Sequence, residues 1–267
     1  MSAKLTLLKL GGSLITEKTK ASTARQARIE RLAGEIAEAQ VEGLIIGHGS
    51  GSFGHVAAKQ YGTRAGVRSE DDWAGFAEVW QQARALHEIM MEALRKQNLP
   101  VISFPPSASV MANEGAIHSW DLMPIKAALG AGLIPVVYGD VVFDLRRGGG
   151  ILSTEELFMH LNQALHVERI LLAANEPVYA DFPGRSAILS EINAHNIKEI
   201  RATLSGGEGS DVTGGMLSKV EAAMAMAAAN PNAEIRIFSA REAGDLRNAL
   251  GGAAAGTLIS APQSSPR

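Results

Sequence analysis

Seven short, nearly continuous apolar runs recur along this chain, separated by segments of helical length. That alternation restricts the fold more than any other feature. The runs cover residues 5–10, 44–46, 101–104, 133–138, 169–173, 234–238 and 257–259. Strands that are apolar at nearly every position, rather than at every second one, are buried on both faces, as in a parallel sheet. Helical periodicity predicts helices over 23–40, 70–96, 121–131, 154–165, 193–204 and 215–229, with Ser22 or Thr23, Ser69, Ser153 and Asn193 as N-caps. Short connections between alternating elements imply a three-layer αβα sandwich with a mainly parallel central sheet. Two apolar runs around Gly148-Gly149-Gly150, within 141–152, predict a β-hairpin near mid-chain. It divides the expected single domain into an N-terminal lobe, about 1–140, and a C-terminal lobe, about 141–267. No linker-like segment comes before 263–267, which reads as a frayed tail.

A chain of 267 residues buries about three quarters of its unfolded surface, so its core needs no covalent staples. It has no cysteine, which excludes disulfides, thiolate metal sites and a cysteine nucleophile. A net charge of −3 leaves no electrostatic footprint for nucleic acid or an acidic membrane. Any anionic ligand must therefore be held by local charge. The first apolar run is interrupted by Lys9 and ends at Gly11-Gly12, too short for a secretory signal. No run approaches the roughly 18–20 apolar residues of a membrane span, so a cytoplasmic location is expected.

Three glycine-rich segments carry the chemistry. In Lys9-Leu10-Gly11-Gly12-Ser13 a buried strand ends in a cation, two glycines and a hydroxyl. The glycines let the backbone approach a ligand and present N–H groups, and the lysine adds a point charge, a combination suited to phosphate oxygens. The plainer reading is a tight strand exit with an exposed lysine. The second segment is His48-Gly49-Ser50-Gly51-Ser52-Phe53-Gly54-His55, directly after a buried strand. Its Gly-x-Gly-x-x-Gly spacing matches a dinucleotide fingerprint only weakly, because the acidic residue wanted about 20 positions on, at a strand end, is absent. An anion nest between strand and helix fits better. His55 can donate to a phosphate oxygen from its end, whereas His48 reads as structural. The third segment, Gly209-Ser210-Asp211-Val212-Thr213-Gly214-Gly215-Met216, opens a helix, with Lys219 one turn in. A helix N-terminus disfavours a cation unless an anion compensates it. Lys18 lies close behind the first turn, in Ile15-Thr16-Glu17-Lys18. Tyr138-Gly139-Asp140 ends a strong strand, where Asp140 either shapes a loop through hydrogen bonds or caps a turn. No carboxylate general base is visible beside these loops.

These motifs, in this order from residue 9 to residue 219, resemble the amino acid kinase fold and, within it, the isopentenyl phosphate kinases. The resemblance implies a kinase that moves the terminal phosphoryl group of ATP, with Mg²⁺, onto isopentenyl phosphate in isoprenoid biosynthesis by an alternative mevalonate route. It implies that Lys9 and Lys219 embrace the transferring group, with Lys18 nearby. Gly11, Gly12, Ser13 and Gly51 would cradle the ATP phosphates, with Gly215 and Asn175 on the nucleotide side. Ser50, Gly54, His55 and Gly139 would hold the acceptor phosphate, with Asp140 beside them, and the family implies a homodimer. Two stretches depart from the usual pattern. Ser153-Thr154-Glu155-Glu156 stands where Ser-Gly-Asp-Asp is usual, and Ala174-Asn175-Glu176-Pro177-Val178-Tyr179 where Thr-Asp-x-Asp-Gly-Val-Tyr is usual. Both fall on the nucleotide side. A fosfomycin-kinase-like enzyme, a glutamate- or carbamate-kinase-like enzyme, and a regulatory anion-binding module remain the competing readings, with His55 arguing against the second.

Overall fold

A computed structural model of the chain describes residues 4–181, 184–205 and 215–261. The 209–214 part of the third glycine motif and the 263–267 tail lie outside these. In chain order the strands are β1 (Leu5–Leu10), β2 (Leu44–His48), β3 (Val101–Ser103), β4 (Val110–Asn113), β5 (Ala116–Trp120) and β6 (Ile134–Tyr138). They continue with β7 (Asp140–Asp144), β8 (Gly148–Leu152), β9 (Val167–Ala174), β10 (Glu191–Ile192), β11 (Glu234–Ser239) and β12 (Thr257–Ile259). The helices are α1 (Gly12–Ile15), α2 (Gln26–Ala39), α3 (Gly51–Tyr61), α4 (Glu70–Lys96) and α5 (Pro106–Ser109). Then come α6 (Met123–Gly130), α7 (Thr154–Ala164), α8 (Ile197–Ser205), α9 (Met216–Ala229) and α10 (Asp245–Leu250).

The main sheet runs β10-β12-β11-β9-β1-β2-β6-β3, parallel throughout except where β12 meets β11. Alternate strand residues feed two separate cores, which explains why the strands are apolar at most positions rather than at every second one. Leu7, Ile45, Ile170, Leu172 and Ile235 pack toward α7 and α9 through Leu157, Leu161, Val220 and Met226. Leu8, Leu10, Ile46, Leu171 and Phe238 pack toward α2, α4 and α10 through Ile29, Leu32, Leu86, Met90 and Leu246. The two faces give the three-layer αβα sandwich.

Ser69 and Ser153 are N-caps as expected, and each closes a full capping box, with Asp72 and Glu156 respectively. Helix α2 begins at Gln26, not near residue 23, because Ala24 is drawn into an antiparallel bridge with Thr16 and Arg25 N–H donates to the Ile15 carbonyl (2.8 Å). The mid-chain hairpin β7–β8 is half of a four-stranded sheet, β5-β4-β7-β8. The other half, β4–β5, was not expected from the sequence. The Asp144 carboxylate accepts from the amides of Glu114, Gly115, Arg146 and Arg147, which ties the two hairpin turns together. Among the described residues no helix is long and apolar enough to cross a membrane.

Candidate active site

The carboxyl ends of β1, β2 and β9 lie side by side at the centre of the main sheet, Leu10 opposite both His48 and Ala173. The chain leaves β1 for β2 on one side and meets β9 on the other, the kind of position where open α/β sheets form a ligand crevice. Two glycine turns meet there. Gly11 N–H donates to the Ala173 carbonyl (2.9 Å), and Gly49 N–H to the Leu10 carbonyl (3.1 Å), folding the second turn back onto the first. A Cβ at Gly12 would lie 2.6 Å from Gly51 N and 2.7 Å from Gly51 Cα, so two backbones touch with no room for a side chain. Gly51 itself has φ +52°, which glycine adopts without cost. Thr16 fastens the pair: its hydroxyl donates to Gly12 O (2.8 Å) and accepts from Ser52 N (3.0 Å). The amides of Gly12, Ser13, Ser50 and Gly51 have no protein acceptor among the described residues. Backbone donors grouped in this way form a concavity for an anion.

Lys9 shares the strand face of Leu7 and therefore points at α7. It is only 6% exposed, and its Nζ donates to Glu155 Oε1 in the first turn of that helix. Burial alone would raise the Glu155 pKa. The Lys9 charge and hydrogen bond outweigh it, and with the Lys219 charge hold the carboxyl below the usual carboxylate range. Lys219 is the fourth residue of α9, which Gly215 N-caps. Lys9 is thus bound to a partly buried carboxylate that also feels the charge of Lys219. A carboxylate that the sequence did not point to, Glu155, stands beside the loops, bound to a lysine. Its partner lies 146 positions away in sequence, and no local pattern signals such a pair.

The second glycine segment is more helical than expected. Helix α3 starts at Gly51, so Gly54 and His55 sit in its first turns, with the His55 side chain exposed. A Cβ at Gly54 would come within 2.9 Å of Ser50 Oγ, so the glycine leaves space for that hydroxyl. Lys18 is exposed on the turn after α1. Asn175 follows β9, where its Oδ1 accepts from Arg28 (2.8 Å). Gly139 N–H donates to the His48 carbonyl (3.1 Å), which joins the exit of β6 to the second turn. His48 is fully buried, as its structural reading expects. Its Nε2 lies 3.0 Å from His87 Nδ1 on α4, a partner the sequence did not point to.

A family-wide sequence profile, described as "Amino acid kinase family", matches residues 4–239. A protein of Methanothermobacter thermautotrophicus named isopentenyl phosphate kinase is 33% identical over 252 residues, covering 91% of this chain and 94% of that protein. The chain belongs to the amino acid kinase family, among its isopentenyl phosphate kinases. A second isopentenyl phosphate kinase, from Methanocaldococcus jannaschii, is 32% identical and covers 81% of this chain and 85% of that protein. A solved structure titled "X-ray structures of isopentenyl phosphate kinase" superposes with a TM-score of 0.81 at 31% identity, covering 96% of this chain and 100% of that one.

In this amino acid kinase the unusual Ser153-Thr154-Glu155-Glu156 stretch has a definite use. Ser153 and Glu156 form the capping box, Thr154 Oγ1 donates to the His48 carbonyl (2.6 Å), and Glu155 takes Lys9. Asp140 takes the loop-shaping role. It is 1% exposed, and its carboxylate accepts from Ser107 N (3.1 Å) and Val141 N (2.9 Å). Both oxygens thus accept from backbone amides, which anchors the loop. Burial pushes its pKa up to about 6 against these hydrogen bonds. The folded protein then holds a proton that the unfolded chain releases near pH 4. This contribution to stability is present below about pH 4 and falls away as pH rises to about 6, by about 3 kcal/mol. Asp140→Asn lacks this titration. The wild-type advantage in Tm over the variant is expected to be largest near pH 4 and to shrink toward pH 6, as thermal unfolding of both proteins across that range would measure. A constant difference would mean Asp140 titrates normally.

Proposed function

We propose that this chain transfers the terminal phosphoryl group of ATP to isopentenyl phosphate, giving isopentenyl diphosphate and ADP. The observation that carries this reading is the convergence of two abutting glycine turns with the Lys9–Glu155 ion pair, one helical turn from His55. The names of its relatives point the same way. A phosphate monoester has its second pKa near about 6, so the acceptor is already an anionic nucleophile at neutral pH and needs no general base. Its oxygen attacks the terminal phosphorus in line, the bond from that phosphorus to the bridging oxygen breaks, and ADP leaves with the electron pair. Positioning and charge neutralisation are then most of the catalysis.

In this reading Gly11, Gly12, Ser13 and Gly51 cradle the ATP phosphates, while Gly215 and Asn175 line the nucleotide side. Lys9, Lys219 and Lys18 offset the charge that spreads over the transferring group. Ser50, Gly54, His55 and Gly139 hold the acceptor phosphate, and Asp140 keeps their loop in shape. Among the described residues no group of three or more His, Cys, Asp or Glu is placed to hold a metal ion. Mg²⁺ would therefore arrive on the nucleotide's own phosphates, where it neutralises charge, and no step here runs through it. The same reading assigns the acceptor to the N-terminal lobe and the nucleotide to the C-terminal lobe, in a cytoplasmic homodimer.

The test is coupled ADP release with isopentenyl phosphate, fosfomycin and amino acids as separate acceptors. Isopentenyl phosphate should give the highest kcat/KM. His55→Ala should lose a hydrogen bond to a charged group, about 1.5–3 kcal/mol, and so lower kcat/KM for that acceptor about 10- to 100-fold with an unchanged Tm. Fosfomycin as the better acceptor, or wild-type kinetics in the variant, would reject the reading.

A further inference from the structure

Behind the second glycine turn lies a buried polar chain that the reaction does not use directly. Ser103 Oγ on β3 is 2.6 Å from His87 Nε2, His87 Nδ1 is 3.0 Å from His48 Nε2, and His48 Nδ1 is 3.3 Å from the Gly49 carbonyl oxygen. The two imidazoles and Tyr138 stack on one another, with centroids 4.1–5.4 Å apart. Burial lowers the pKa of His48 to about 4 and that of His87 to about 2, so both rings are neutral in ordinary buffers. A neutral imidazole has one donor and one acceptor nitrogen. Only one direction satisfies every contact: Ser103 donates to His87, His87 to His48, and His48 to the Gly49 carbonyl. The opposite direction sets a lone pair of His48 against that carbonyl.

The far end of this chain is a peptide bond of the phosphate turn. A trans peptide points its C=O and its N–H in opposite directions. Holding the Gly49 carbonyl against a buried ring therefore turns the Ser50 N–H away from the core, and that amide has no protein acceptor among the described residues. The same histidine fixes the site a second time through its own carbonyl, which accepts from Gly139 N–H (3.1 Å) and the Thr154 hydroxyl (2.6 Å). Ordinary packing explains this poorly, since two imidazoles cost more to bury than apolar rings of like shape.

We propose that the Ser103–His87–His48 chain is a positioning device that locks the Gly49–Ser50 peptide with the Ser50 N–H aimed at the acceptor phosphate. The inference rests on the proposed placement of the acceptor beside Ser50. His87 is a positioning residue in it, three links removed from the substrate. Its loss acts on binding of the acceptor and leaves ATP binding alone.

Steady-state kinetics of His87→Leu and His87→Asn, with each substrate varied, test it. The leucine variant should raise KM for isopentenyl phosphate at least tenfold with KM for ATP within twofold. Asparagine can still donate to His48 from the position of Nδ1, and should return KM to within threefold of wild type. An unchanged acceptor KM in a folded leucine variant, a parallel rise in both KM values, or no rescue by asparagine overturns the proposal. If His87→Leu shows no cooperative thermal transition, Ser103→Ala takes its place. It removes only the first donor, so a roughly threefold rise in acceptor KM supports the device and none overturns it. Ser50→Pro deletes the N–H at a residue whose φ of −74° suits proline. If that variant leaves acceptor KM unchanged, the placement of the acceptor fails and the device with it. If it raises KM while His87→Leu does not, the device alone fails.

Discussion

Glu155→Gln is expected to lower kcat about a hundredfold while leaving KM for isopentenyl phosphate within a few-fold of wild type. The carboxylate is ion-paired with Lys9 and feels the charge of Lys219, so its negative charge offsets both ammonium groups. A glutamine can still accept one hydrogen bond from Lys9 but cannot offset either charge. The lysines then lose their preset geometry, and misplacement of about 1 Å in such a site can cost about a hundredfold. Stability suffers too, because Lys9 is left buried without a counter-ion. Breaking a buried ion pair costs about 3–5 kcal/mol, and the retained hydrogen bond places this variant at the low end. ATP brings phosphate charge to the same lysines, so it should raise Tm more in Glu155→Gln than in wild type. Stopped turnover alone would not separate this account from misfolding; the larger ATP-dependent shift does. An unchanged kcat would remove Glu155 from the site.

The second large effect is expected from a single methyl group. Gly12→Ala would set a Cβ 2.6–2.7 Å from the backbone of Gly51. No side-chain rotation relieves a contact with backbone, so the two turns must separate. Overpacking of this kind costs about 1–3 kcal/mol, but the loss in function is larger, because in the proposed reading both phosphates are held by the turns that move. A fall in kcat/KM of about a hundredfold is expected for each substrate. Gly130→Ala is the control: its Cβ would meet nothing within 4 Å and its φ is not positive. It removes only unfolded-state freedom, worth about 0.4–1 kcal/mol of added stability, and its kinetics should match wild type. Equal activity in the two variants would show that the turns do not jointly grip the substrates.

Much of the architecture was legible because it is written in local pattern. The largely apolar runs of β1, β2, β6, β9 and β11 require burial on both faces, and Gly11-Gly12-Ser13 could not continue a strand. Other features depend on contacts that no window contains. Helix α3 opens with Gly51-Ser52-Phe53-Gly54, where two glycines argue against a helix; burial of Phe53, Gly54 and Ala57 holds it. The β4–β5 hairpin turns at Glu114-Gly115, both with positive φ, and glutamate is a weak turn signal compared with asparagine or aspartate. Helix α2 starts late because Ala24 pairs with Thr16. The site divides in the same way. Its glycines and lysines show as motifs, whereas Glu155 and His87 acquire their roles from α7 and α4 packing onto opposite faces of the central sheet.

In the proposed reading the phosphates of ATP and of the acceptor lie end to end across the joined turns. Inhibition by a bisubstrate analogue, adenosine linked through a polyphosphate to an isopentenyl group, tests it most directly. Competition against both ATP and isopentenyl phosphate is expected, with a Kd at least a hundredfold below that of either substrate, since linking turns the second binding event into an intramolecular one. Competition against ATP alone, with an affinity no better than that of ATP, would contradict it.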